Sequence, residues 1–160
     1  MTVRYVTRKR PQVDRCASAW LLTRFVDPQA EFAFVEEGDT LPGAIPFDMS
    51  GVELGHHRGR CTFEAILTKH ALTDPALVEL GRIIRSADLL DAEETLEGPG
   101  VDLFFRGLLH LTGDDQEILR LATPILEALY AALQERGAAR LPRPRERRRQ
   151  PSRRGTAQGK

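Results

Sequence analysis

Residues 3–28 read VRYVTRKRPQVDRCASAWLLTRFVDP and contain the change of hydrophobic period that decides the fold. Val3 and Tyr5 alternate with their neighbours, which predicts a short strand that ends at the basic cluster of residues 8–10. Apolar side chains then recur every three or four residues from position 13 to position 26, which predicts a helix. Asp27 closes that helix, because a residue before proline avoids the α conformation. The chain therefore begins as a strand followed by a helix.

Further strands and helices are predicted downstream. Residues 32–35 and 45–49 indicate strands, the second at a sheet edge because Pro46 cannot donate a ladder hydrogen bond. Residues 51–60 are broken by glycine and predict a loop or hairpin. Helices are predicted from Cys61 onward, after the start signal at residues 73–75, over residues 101–111, and after a capping box at residues 114–117. We therefore predict an α+β fold, a helix-dominated single domain with a small N-terminal β-sheet.

Residues 101–111 differ from the other predicted helices in their distribution of apolar side chains. They are apolar nearly all round, whereas a surface helix has one apolar stripe and one polar face. This pattern favours a central buried helix.

The 160 residues have a formal net charge of zero, which conceals two oppositely charged parts. Nine basic residues and one acidic residue follow Gly137, so residues 1–137 carry −8 and residues 138–160 carry +8. The C-terminal part is rich in arginine and proline and has one large apolar residue, Leu141, so it cannot bury enough surface to become ordered. We predict a folded domain over residues 1–137 and a disordered basic tail over residues 138–160.

Composition excludes several classes of protein. Two cysteines are too few for a disulfide framework, and no apolar run is long enough to span a membrane. The first residues have no apolar stretch and no small-residue cleavage site, so a secretory signal is not predicted. We expect a cytoplasmic protein with no membrane partner, and the sequence leaves its oligomeric state open.

The segment GVELGHHRGRCTFE at residues 51–64 concentrates side chains that bind metals. It holds His56 and His57, two of the four histidines, together with Glu53, Cys61 and Glu64. Imidazole, thiolate and carboxylate groups are ligands for zinc and other divalent first-row metals. Because adjacent side chains on a strand point to opposite faces, both histidines reach one ion only if the loop turns there. The alternative interpretation is a solvated hairpin with a structural histidine pair and a buried cysteine.

Two aspartates outside this segment are further candidates. Asp88 falls on the apolar stripe of its helix, where a carboxylate needs a partner or a metal, or just past the helix end in solvent. Asp48 lies on the polar face of the third strand, from which it would point toward the same cleft as His56 or His57. The sequence does not fix that direction.

A basic cluster precedes the first helix. Arg8 and Arg10 lead into the helix start, and Arg15 lies in its first turn. Helix N-termini offer free N–H groups and a partial positive charge, so added cations favour an anion site there. Asp14 offsets part of this charge, and an Asp14–arginine pair or a solvated basic loop is the alternative.

Several of these segments together resemble the C-terminal domain of ChrB, a family associated with chromate resistance. The resemblance extends over about residues 2 to 135 and leaves out the basic tail. The matching blocks are TRKRPQVDR (7–15), WLLTRFVDP (20–28), GAIPFD (43–48), GVEL (51–54), HH (56–57), CTFE (61–64), AD (87–88), DD (114–115) and LYA (129–131).

The resemblance implies a link to chromate resistance or to the response to chromate stress. Together with the candidate ligands above, it gives the leading hypothesis of a small metal- or oxyanion-binding domain. In this hypothesis zinc, iron or manganese is the metal, and a small anion or the metal ion is the binding partner. The expected metal ligands are Asp14, Asp48, His56, His57, Cys61 and Asp88, and the expected anion contacts are Arg8, Arg10 and Arg15.

Two alternatives remain open at this stage. One is a metal-dependent hydrolytic or redox enzyme that uses Glu53 or Glu64 as general base. The other is a regulatory module whose basic tail contacts nucleic acid through its phosphates.

One departure from the family pattern concerns a thiol in the first helix. Family members commonly carry a cysteine at the position of Ser18, whereas this chain has its cysteine at Cys16. Two residues apart on a helix is roughly 200° of rotation, so Cys16 cannot replace that thiol. Ser18 lies four residues after Asp14 on the same face and keeps a hydroxyl there.

Overall fold

Three parallel strands form a small sheet near the start of the chain. The computed structural model describes residues 2–89, 92 and 94–140. In it, β1 (Arg4–Arg8) lies between β2 (Glu31–Val35) and β3 (Ile45–Pro46). Both neighbours run parallel to β1. The predicted edge position of the proline-containing strand is confirmed, although that strand is only two residues long.

Parallel pairing gathers the segments that follow the three strands at one edge of the sheet. The amide of Lys9, just after β1, donates to the carbonyl oxygen of Val35 at 2.9 Å, and the amide of Phe47 donates to Val6 at 3.0 Å. Ligands of parallel sheets bind outside the carboxyl ends of the strands. The register therefore brings the basic loop after β1, the glutamates after β2 and Asp48 after β3 to one place.

Within the described residues, five α-helices follow or interrupt the sheet. They are α1 (Val13–Leu21), which continues as a π-helical turn (Leu22–Val26), α2 (Thr62–Lys69), α3 (Pro75–Asp88), α4 (Gly98–Leu111) and α5 (Asp115–Arg140). The predicted start of α3 is confirmed, because Asp74 caps it by accepting from the amide of Ala76 at 2.8 Å. None of these helices is both long and apolar enough to cross a membrane.

Helix α1 lies at the centre of the fold and contacts α2, α3 and α5. All nine of its residues are buried, including the polar side chains of Asp14, Arg15 and Ser18. Buried polar groups cost free energy unless they are hydrogen-bonded, and buried charges cost more unless they are paired. The hydrogen-bond and ion-pair partners of these three side chains therefore determine whether the fold can tolerate their burial.

The expectation that residues 101–111 form a fully buried helix is wrong. Leu103, Phe104 and Leu111 have exposed fractions of 67%, 59% and 72%. Helix α4 buries one face only, which is made of Gly98, Val101, Phe105 and Leu108. The apolar residues all round α4 therefore give it a second apolar face, and the described residues leave that face uncovered.

The start of α5 follows the prediction in part. Asp114 accepts from the amides of Gln116 and Glu117 at 2.9 and 3.4 Å. Glu117 pairs with Arg120 instead of reaching back to Asp114, so the reciprocal half of the predicted capping box does not form. Helix α5 extends to Arg140 and so includes the first three residues of the predicted tail. The remaining tail residues, 141–160, lie outside the described residues.

Candidate functional site

The candidate site is built on the carboxylate of Asp14, which lies at the N-terminus of α2. Its two oxygens accept from the backbone amides of Thr62 at 2.8 Å and Phe63 at 2.9 Å. Ser18, one turn along α1, donates its hydroxyl to the same carboxylate at 3.2 Å. The first amides of a helix have no partner within it, and its dipole favours a negative charge at this end. A fully buried carboxylate is therefore stabilised here while it joins α1 to α2.

His56 brings three carboxylates together at one nitrogen atom. Its Nε2 lies 3.0 Å from Oδ2 of Asp14, 3.2 Å from Oδ1 of Asp48 and 3.4 Å from Oδ2 of Asp88. These four side chains come from α1, the segment after β3, the loop before α2 and the last residue of α3. The prediction left open whether Asp88 lies in solvent, and the structure places it against the cluster.

Asp48 is held in place by its backbone and by two neighbours. Its φ angle of 49° is in the left-handed region, which costs energy for a residue with a side chain. Its Oδ1 accepts from the hydroxyl of Thr62 at 2.8 Å, and its Oδ2 pairs with the guanidinium of Arg15 at 2.9 Å. Both members of this ion pair are about 9% exposed, so the charge of Arg15 compensates one carboxylate of the cluster.

The charges of the cluster shift the pKa of its members in different directions. Hydrogen bonds to Asp14 and Asp48 raise the pKa of His56 to about 10, so its ring is protonated at neutral pH. Burial and the nearby charges of Asp14 and Asp48 raise the pKa of Asp88 to about 7. Burial opposes ionisation of Asp48 as well, but His56 and Arg15 lower its pKa overall. The three ionised carboxylates thus carry one more negative charge than the two positive charges of His56 and Arg15 can neutralise.

Three members of the cluster, Asp48, His56 and Asp88, line a cleft of about 400 Å³ at the carboxyl edge of the sheet. Arg15 and the basic loop of residues 8–10 line the same cleft. The His56 side chain is 42% exposed, so its ring is accessible from the cleft. A ligand that enters the cleft therefore meets carboxylate, imidazole, guanidinium and ammonium groups.

The basic loop is only partly available to a ligand. Arg8 pairs with Glu37 at 3.4 Å, and Lys9 pairs with Glu36. Arg10 donates through its guanidinium to the carbonyl oxygens of Leu109 and Thr112, so it caps the C-terminus of α4. The Nε atoms of Arg8 and Arg15 are buried and have no hydrogen-bond partner within the described residues.

The structure does not bring the other predicted ligands to the cluster. His57 directs its Nε2 to the carbonyl oxygen of Glu53 at 2.7 Å, and the Glu53 side chain pairs with Lys69 on the surface. Cys61 is fully buried at the start of α2, and burial raises the pKa of its thiol. Glu64 pairs with Arg85 at 3.0 Å. Among the described residues, three ligand atoms lie close enough together to share a metal ion, and they belong to Asp14, His56 and Asp88.

Thr62 is the member of the site that the sequence analysis did not identify. Its amide holds Asp14 and its hydroxyl holds Asp48, so one residue fixes two of the three carboxylates. The available signal was its position in the first turn of the helix predicted from Cys61 onward, where amides are free to bind an anion.

Comparison with known proteins now identifies the kinship of the chain. The family described as "ChrB, C-terminal domain" matches residues 5–133. The chain belongs to the ChrB C-terminal domain family. It is 32% identical over 128 residues to Protein ChrB of Cupriavidus metallidurans, a match that covers 79% of this chain and 39% of that protein. The chain thus spans about two fifths of the length of this relative. No solved structure matches the chain.

The raised pKa of Asp88 gives a prediction for stability. Its folded-state pKa of about 7 exceeds the ordinary aspartate pKa of 3.8, so the folded protein holds this proton more tightly than the unfolded chain. The stability linked to that proton is present at low pH and is lost as the pH rises through about 7. In the presence of a chelator, we expect Asp88→Asn to raise the free energy of unfolding at pH 8 by roughly 1–3 kcal/mol.

Urea denaturation across pH 4 to 8 measures this effect. The gain from Asp88→Asn is expected to shrink toward zero near pH 4, where the wild-type carboxyl is already protonated. Asp102→Asn, which alters a surface carboxylate paired with Arg106, is the matched control and should change stability little at either pH. A loss of stability in Asp88→Asn at pH 8 would show that the carboxylate is favourably paired.

Proposed function

We propose that this ChrB-family domain binds a divalent transition-metal ion through Asp14, His56 and Asp88, with Asp48 beside them, as part of a response to chromate. The observation that carries the proposal is the convergence of one imidazole nitrogen and two carboxylate oxygens that lie close enough together to share an ion, with a third carboxylate, Asp48, against the same nitrogen. Most of these groups are buried, and buried acidic groups gather at one point only when something positive repays their repulsion.

The separations within the cluster support a common ion. Ligand atoms bound to one metal at about 2.0–2.2 Å lie roughly 2.9–3.4 Å from one another in tetrahedral or octahedral shells. The distances from His56 Nε2 to the Asp14 and Asp88 oxygens, 3.0 and 3.4 Å, fall within this range. The hydroxyl of Thr62, the guanidinium of Arg15 and the amides of α2 hold the carboxylates from behind, as outer partners of metal ligands do.

The charge balance supports a divalent cation. With His56 neutral, three carboxylates and Arg15 sum to −2, which one divalent ion neutralises. Because His56 is protonated at neutral pH in the metal-free protein, the ion has to displace that proton. Carboxylates favour manganese and magnesium, while imidazole favours zinc, iron and nickel, so the mixed set suits manganese, iron or zinc.

A second candidate function, oxyanion binding, is favoured by the buried Nε atoms of Arg8 and Arg15. Both side chains line the cleft, and the α1 N-terminus beside them lacks a side-chain cap at Gln12. An anion in the cleft would pair with these donors by charge-assisted hydrogen bonds. The anion would lie next to the proposed metal ion, so one cleft would bind both an anion and a cation.

The remaining alternatives have less support. Glu53 and Glu64, the candidate general bases, are paired with lysine and arginine away from the cluster, so we assign neither a catalytic role. The arginine-rich segment that would contact nucleic acid lies almost entirely outside the described residues, so that alternative stays a prediction from the sequence.

Calorimetric titration of the full chain with Mn²⁺ or Zn²⁺ tests the metal proposal. We expect a single site in the wild type, with release of close to one proton from His56 at pH 8, measured from the dependence of the heat on buffer ionisation. His56→Ala should weaken binding by about 100-fold or more, since it removes a direct ligand. Asp88→Asn should also weaken binding while it raises the stability of the metal-free protein.

The neighbouring histidine supplies a matched control. His57→Ala removes an imidazole one position away that contacts only backbone at its Nε2, so metal affinity should stay within twofold of wild type. Equal losses in the two alanine variants, or no binding by a wild type that circular dichroism shows to be folded, would contradict the proposal.

Equilibrium dialysis with chromate, followed by its absorbance, tests the anion proposal. Arg8→Gln removes a charged donor from the cleft and should weaken chromate binding about tenfold. Arg4→Gln is the matched control, because Arg4 lies at the other end of β1 and also pairs with a glutamate. A similar loss in both variants would indicate attraction to surface charge and would contradict a site in the cleft.

A further inference from the structure

The uncovered face of α4 is a second feature that the cleft does not explain. Leu103, Phe104 and Leu111 project from it, and Gly100 and Gly107 lie between them. On a helical wheel these five residues occupy an arc of about 100°, the width of an ordinary buried stripe. Monomeric proteins seldom expose contiguous apolar surface of this kind without using it.

The two glycines make this face uneven. A Cβ atom added at either position would meet no atom of residues 2–89, 92 or 94–140 within 4 Å, so this part of the chain leaves open space above both. Glycine lowers helix stability relative to alanine, and neither position needs it for a left-handed φ. The face therefore consists of two recesses with large apolar side chains beside them.

We propose that this face of α4 binds the same face of a second copy of the chain, in an antiparallel helix pair about a two-fold axis. If the axis crosses the pair midway between Phe105 and Arg106, residues whose numbers sum to 211 lie at the same level. Phe104 then lies level with Gly107 of the second copy, and Leu111 lies level with Gly100 of the second copy. Two of the three projecting side chains, Phe104 and Leu111, thus meet a recess, and the symmetry forms each of these contacts twice.

This self-complementarity favours a second copy of the chain as the partner that covers the face. The predicted tail is a poor alternative, because residues 141–160 contain one large apolar residue and eight basic ones. A second copy supplies both projections and recesses at matching levels, and glycine lets the two helix axes approach closely. The contact involves one helix from each copy, so we expect a weak dimer with a Kd of about 10–100 µM. This inference is independent of metal or anion binding.

Sedimentation velocity of the full chain, from about 5 to 500 µM in the presence of a chelator, tests the proposal. The wild type should pass from monomer to dimer over this range. Phe104→Glu should be monomeric throughout, because it places a charge in the recess of the second copy. Val78→Glu is the matched control, since Val78 is an exposed apolar residue on α3 and its substitution should leave the Kd unchanged.

The variant Gly107→Leu distinguishes complementary packing from non-specific hydrophobic association. Leucine favours helix over glycine, so this variant should have a higher Tm than wild type as a monomer. It fills the recess, so dimerisation should weaken at least tenfold, whereas a patch that associates through apolar area alone would dimerise more strongly. A wild type that stays monomeric at 500 µM would overturn the proposal, as would tighter dimerisation of Gly107→Leu. Dimerisation that appears only when residues 141–160 are removed would assign the face to the tail and would also overturn it.

Discussion

The carboxylate of Asp14 at the start of α2 is the interaction on which the rest of the site depends. It is buried on the central helix, and it is tolerated there because two backbone amides and the Ser18 hydroxyl donate to it. The same contact fixes α2 against α1 and so positions Thr62, which in turn holds Asp48. His56, on the loop that enters α2, is then held against both carboxylates. Replacing Asp14 by an apolar residue would leave these amides without their acceptor and would remove the nearest of the three carboxylates from His56.

Parallel strand pairing provides the second constraint. Because β2 and β3 both pair with β1 in the same direction, the segments after all three strands meet at one edge of the sheet. This edge receives the basic loop from β1 and Asp48 from β3, while α1 begins beside it with Arg15. The opposite charges of the cleft are therefore a consequence of topology, since the residues concerned are far apart in the chain.

Much of the fold and part of the site could be predicted from the sequence, because those parts depend on local sequence signals. The start of α3 follows from Asp74 and the proline after it, and the edge position of β3 follows from Pro46. Ser18 was expected on the face of Asp14 from its spacing on the helix, and it donates to Asp14.

Long-range contacts were beyond such reasoning. Asp88 meets His56 only because α3 ends beside the cleft, and nothing local separates His56 from His57 or assigns Arg10 to the end of α4. The exposed face of α4 was missed because apolar composition does not distinguish a helix buried on all sides from one that leaves an apolar face exposed.

X-ray absorption spectroscopy of the Zn²⁺-loaded full chain identifies the atoms that bind the metal. We expect a first shell of nitrogen and oxygen at about 2.0–2.2 Å, with the outer-shell scattering of one imidazole and no sulfur. Two imidazoles in that spectrum would bring His57 to the ion, and a sulfur at about 2.3 Å would bring Cys61 or Cys16. Either result would contradict a metal centre made of Asp14, His56 and Asp88.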